Sequence, residues 1–215
     1  MKILVCVLCA VAVPLTFTTS TCLAQSGQPL SAVQLPGFHV EQFSTSAALW
    51  DISQKTKIPI GFQSLVDFKT ERSFSFNFPG GTVAALFDSF ISDDPGYQWK
   101  VSGAGVVHLF RASTSVSLTD VILAYPGAQN KTRKEISTEL VSLAEVKAWM
   151  VSNGCSRQEI FSGKEFRANN GPISIAAGNI SVSELLDQVV LKSGSNYWSV
   201  VETRANGACQ VSIVM

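Results

Sequence analysis

Apolar and polar residues alternate from Ser73 to Phe78, which puts Phe74, Phe76 and Phe78 on one face of a strand. Thr82 then opens a stretch in which Val83, Leu86, Phe87, Phe90 and Ile91 recur at helical spacing and make one broad apolar face. Asp93-Asp94-Pro95-Gly96 is a turn, and strands follow at Tyr97–Val101 and Val106–Phe110, joined by a Ser102-Gly103-Ala104-Gly105 hairpin. Upstream, Phe38-His39-Val40-Glu41 alternates as a half-buried strand. Ser44 or Thr45 caps a helix to about Lys57, whose stripe is Ala48, Leu49 and Ile52 with Trp50 alongside. Pro59 ends that helix, Ile58–Phe62 is a second strand, and Pro79-Gly80-Gly81 breaks the third. The predicted order is β-α-β-β-α-β-β.

The pattern returns 99 positions later. Aligned without a gap, Phe74–Val101 and Ile173–Val200 share six of 28 residues, among them Asp88 with Asp187 and Trp99 with Trp198. Trp149 likewise stands 99 positions after Trp50. The second half predicts a strand over Val116–Tyr125, an exposed polar loop over Pro126–Glu135, and a helix from the Ser142-x-x-Glu145 capping box to about Asn153. Strands are predicted at Glu159–Ser162 and Ile173–Ala176, a second capping box at Ser181-x-x-Glu184, and a closing hairpin of Asn196–Val201 with Gln210–Val214. The expectation is an α+β fold of two tandem modules, 37–112 and 113–215, each a short sheet packed by two helices and closing its own apolar interior.

Residues 1–24 read as an export signal: Lys2, an apolar run from Ile3 to Val13, and Cys22-Leu23-Ala24 before Gln25. Residues 25–36 read as a linker. After cleavage 15 basic and 16 acidic residues remain, with no transmembrane segment. A chain with no basic excess is a poor match for nucleic acid. Export also changes the reading of the cysteines, because the mature chain keeps only Cys155 and Cys209, an even pair that predicts a disulfide. Two cysteines without nearby histidines are too few ligands for a metal, and no motif implies a cofactor.

Phe38-x-Val40, Leu49 and Ile52, Ile60, Phe74-x-Phe76-x-Phe78, Thr82-Val83-x-x-Leu86-Phe87 and Tyr97-x-Trp99-x-Val101 together resemble the secretin and TonB short N-terminal domain. The resemblance covers Gly37 to about Arg111 and reaches the second half through the internal repeat. It implies a periplasmic or outer-membrane-associated protein whose partner is another envelope protein, such as a secretin, a TonB-dependent receptor or an anti-sigma factor. It implies protein contact, not catalysis.

The candidate chemistry agrees. His39 and His108 sit in strands at solvent-facing or edge positions, without a nucleophile motif beside either. Asp88 and Asp187 lie mid-helix, where a solvated or locally bonded carboxylate is the ordinary reading. Pro79-Gly80-Gly81-Thr82 could hold an anion at a helix start but more often makes only a turn. Trp50, Trp99, Trp149 and Trp198 either pack the core or form an interaction surface, with Phe110 and the Val211–Val214 strand as the places where an open edge could take a partner strand. No residue is read as catalytic. The alternative is a small secreted hydrolase or carbohydrate-binding protein with its site between the two modules.

Overall fold

A computed structural model describes residues 29–42, 44–67, 74–92, 95–111, 116–158, 171–205 and 208–215. The first half contains β1 (Gln34–Gln42), α1 (Thr45–Thr56), β2 (Ile60–Asp67), β3 (Phe74–Thr82), α2 (Val83–Ser92), β4 (Tyr97–Val101) and β5 (Val107–Arg111). The second contains β6 (Ile122–Tyr125), β7 (Ala128–Lys131), α3 (Arg133–Leu140), α4 (Ala144–Ser152), β8 (Cys155–Arg157), β9 (Ile173–Ile175), β10 (Gly178–Ser181), α5 (Val182–Ser193), β11 (Tyr197–Ala205) and β12 (Ala208–Val214). The class is α+β, as the pattern predicts.

The separate sheets expected of two modules do not form. One six-stranded sheet runs β4-β5-β2-β11-β12-β8, and β2 lies parallel to β11 in register from Ile60↔Tyr197 to Asp67↔Arg204. Hydrophobic alternation marks which face of a strand is buried but not what lies along its edge, so this seam between the halves left no mark in the pattern. The halves are therefore not independent copies, and Trp99 and Trp198 differ in exposure, the first half-buried and the second buried.

What the halves share is an order of neighbours. In each, the first strand of a hairpin pairs antiparallel with the second, which pairs parallel with a third: β4-β5-β2 and β11-β12-β8. The helix entries match as well, since the Val83 N–H donates to Val33 O at 2.9 Å and the Val182 N–H to Val121 O at 3.0 Å.

Two apolar clusters fill opposite faces of the sheet. One, from the first half, is built on Leu49, Ile52, Ile60, Phe62, Leu86, Phe87 and Leu109, and Tyr197 joins it from β11. The other lies in the second half and is built on Leu123, Leu185, Leu186, Val189, Trp198, Val200 and Val211. Neighbouring residues of a strand point to opposite faces, so Tyr197 and Trp198 on β11 reach the two cores in turn.

Several local expectations need correction. Pro79-Gly80-Gly81 does not break β3, because Gly80 and Gly81 take φ values of +105° and +142° and keep pairing with Pro36 and Leu35. The stretch read as a linker enters the fold with a helical turn at Leu30–Ala32 and the start of β1 at Gln34. The polar segment before Glu135 carries β7 and a capping box of its own, in which Thr132 and Glu135 start α3. The box expected at Ser142 and Glu145 does not form. Leu143 precedes α4 instead, and Glu145 accepts the Ala124 N–H at 3.0 Å. Val116–Tyr125 is a helical turn at Leu118–Asp120 followed by β6. The box at Ser181 and Glu184 forms as expected. The strand expected at Glu159–Ser162 lies outside the described residues.

The Cys155–Cys209 disulfide is present and ties β8 to β12 at directly paired positions. No helix among the described residues is long and apolar enough to cross a membrane.

Candidate functional site

Along the seam, Trp198 stands opposite Gly61, and Gly61 opposite His108 on the next strand. A Cβ on Gly61 would overlap Cζ2 and Cε2 of Trp198 and lie 2.8 Å from its Nε1, so only glycine lets the indole lie flat across β2. The indole N–H donates to Asp187 Oδ1 at 2.7 Å. From the other side of Gly61, His108 Nε2 lies 2.8 and 3.0 Å from the two oxygens of Asp187. Its ring meets Trp198 edge to face at 5.2 Å between centroids. Asp187 is 1% exposed and His108 8%. A buried carboxylate needs such partners. His108 is thus at neither the solvent-facing nor the edge position expected, being buried on an interior strand. It crosses from the first half to bond a helix of the second.

Beside this cluster is a cavity of about 220 Å³ between the halves, lined by Gln63, Lys100, His108, Ser117, Thr119 and Trp198 among others. Its hydroxyls are largely engaged with one another. Gln63 Nε2 donates to Ser117 Oγ, and Thr119 Oγ1 donates to Gln63 Oε1 at 2.6 Å. Two further buried ionisable groups lie on β11, and the first of them binds the halves. Tyr197 shares a hydrogen bond with Ser46 at 2.8 Å, and burial pushes its phenol well above the ordinary range. Burial also raises the Glu202 carboxyl on β11, while nearby Arg204 and the Leu118 N–H act in the opposite sense.

The first half carries the counterpart of the Trp198–Asp187 pair in a different setting. Trp99 Nε1 donates to Asp88 Oδ1 at 2.8 Å, Asp88 is exposed, and β4 is the outermost strand of the sheet. Where β11 has β2 along its flank, β4 has no strand among the described residues.

The structure separates the proposed interaction residues. Trp149 is buried with its indole N–H on Val116 O at 2.9 Å, and Trp198 and Val211 are buried in the second core. Trp50, Trp99, Phe110 and Val214 remain half-buried. Phe110 and Val214 lie on β5 and β12 beyond the residues that pair with β2 (Val107–Leu109) and with β8 (Cys209–Val211), and the outermost strands of the large sheet are β4 and β8. His39 is exposed on β1. The chain matches no family model, and no curated protein or solved structure is similar to it.

Proposed function

We propose that this is an exported bacterial envelope protein acting as a non-catalytic protein–protein interaction module that takes its partner by strand addition at the β4 edge. The observation that carries the reading is the parallel β2–β11 seam, because the chain already joins its own halves by laying one edge strand along another. The outer flank of β4 is placed as β11 is, next to an indole–carboxylate pair. Export is supported by the signal-like residues 1–24 and by a disulfide that an oxidising compartment maintains. The β2–β5 bond from the Val107 N–H to Pro59 O leaves the N–H groups of Tyr97, Trp99 and Val101 facing outward in the alternating antiparallel pattern. Val101→Pro therefore removes an outward donor while sparing the β4–β5 pairing. Cross-linking of the mature protein in its own envelope is expected to capture a partner that Val101→Pro loses. Undiminished capture by a folded Val101→Pro variant would defeat the edge reading.

The cavity favours one second reading, the binding of a small polar ligand such as a carbohydrate between the halves. Glycoside hydrolysis needs two working carboxylates. Asp187 is committed to His108 and Trp198, which leaves binding as the simpler role. Titration calorimetry with soluble oligosaccharides tests it, and a Gln63→Ala variant should abolish any heat that comes from this site.

A further inference from the structure

The two indole–carboxylate pairs differ in what covers them. Trp198–Asp187 is closed by a parallel strand with glycine opposite the indole and by an imidazole that reaches the carboxylate across that glycine. Trp99–Asp88 has the same donor and acceptor, at 2.8 Å against 2.7 Å, with the carboxylate exposed and the neighbouring flank open. We infer that the β4 edge is a docking site for a parallel strand of another protein that places glycine opposite Trp99 and a basic side chain against Asp88. The inference rests on the strand-addition reading and gives the partner its chemistry.

Each requirement has its own physical source. A Cβ opposite Trp198 would collide with its ring at Gly61, and the Trp99 indole, tied to its helix carboxylate by the same bond, would exclude one in the same way if it lay across an added strand. Asp88 is an acidic group at the rim, and Trp99 is its hydrogen-bond partner among the described residues. An approaching basic side chain would bond it as the His108 ring nitrogen bonds Asp187. Val101, at the end of β4 and 36% exposed, extends the open flank. A second copy of this chain is a poorer occupant. Its free edges on the large sheet are β8, three residues long, and β4 itself, five residues long, which a two-fold axis would pair antiparallel, whereas β2 gives eight residues to the parallel internal seam.

The test uses fluorescent ten-residue peptides with the sequence of residues 57–66, in native form and with Gly61→Val or Gln63→Lys, the second placing a cation on the glycine face. Anisotropy against the mature oxidised protein is expected to show binding of the native peptide. Gly61→Val should weaken it about tenfold or more, and Gln63→Lys should strengthen it several-fold. Asp88→Asn, which keeps an oxygen for the Trp99 indole, should cancel only the gain from lysine. Val101→Pro should weaken every peptide. Binding that is lost in Val101→Pro but indifferent to both the peptide glycine and Asp88 overturns this inference and leaves strand addition standing. If no peptide binds, or if Val101→Pro changes nothing, strand addition fails with it. Sedimentation showing self-association that Val101→Pro abolishes would make the occupant a second copy and overturn the assignment to another protein.

Discussion

Gly61 and the Trp198 ring occupy adjoining strands with no space between them for a methyl group. Gly61→Ala forces the indole to move, and with it the hydrogen bond to Asp187. We expect a loss of about 1–3 kcal/mol in chemical denaturation, as for other overpacked sites, and a shift in tryptophan emission. Unchanged stability would mean that the indole has room to tilt.

His108 and Asp187 should behave as a coupled pair across the two halves. His108→Leu leaves a buried carboxylate with the Trp198 indole alone and is expected to cost about 1–3 kcal/mol. In a cycle with Asp187→Asn the two changes should be non-additive by about 0.5 kcal/mol or more. Strict additivity would show that the contact contributes nothing.

Glu202 gives the fold a pH dependence of definite sign. Its carboxyl is raised above the ordinary glutamate value, chiefly by burial, so the folded state holds the proton more tightly than the unfolded chain does. Its contribution to stability is therefore present below the unfolded pKa and is lost as pH rises through the folded one. Glu202→Gln keeps an oxygen for the Leu118 N–H and should remove this loss. Urea midpoints measured across that interval should converge at low pH, with the variant more stable at neutral pH. The opposite order would place the carboxylate in a better-solvated site.

The disulfide should matter most to the sheet's far edge. Cys155 and Cys209 are separated by 54 positions, and opening the closed loop by Cys155→Ser with Cys209→Ser is expected to cost about 4 kcal/mol in the chain-entropy account. Hydrogen exchange should rise first in β8, which is only three residues long. Uniform exchange along the sheet would show that packing, not the bond, retains that strand.

The helices with clear apolar stripes were legible in the sequence: α1 behind Ser44, α2 behind Thr82 and α5 behind the Ser181–Glu184 box. So was the cysteine pairing. α3 was hidden because Arg133–Leu140 is mostly polar and its cap, Thr132, sits in a run that resembles loop. The seam was hidden for a different reason. Gly61 looks like an unremarkable gap between Ile60 and Phe62 until the Trp198 ring is seen to fill it. The matched Trp–Asp spacing could have suggested a bond, because a helix residue and a strand residue eleven positions on recur together in both halves. Nothing in the spacing of His108 pointed to Asp187, since that contact depends on which strands lie side by side.

The middle of the sheet has a consequence for how the protein is made. β2 is synthesised early, while the strand that covers its flank belongs to the final hairpin. Until that hairpin emerges, a nascent chain presents one flank of Ile60–Asp67 as a bare edge, which is the kind of surface that invites wrong pairing. A chaperone that protects this molecule would do most of its work in that interval.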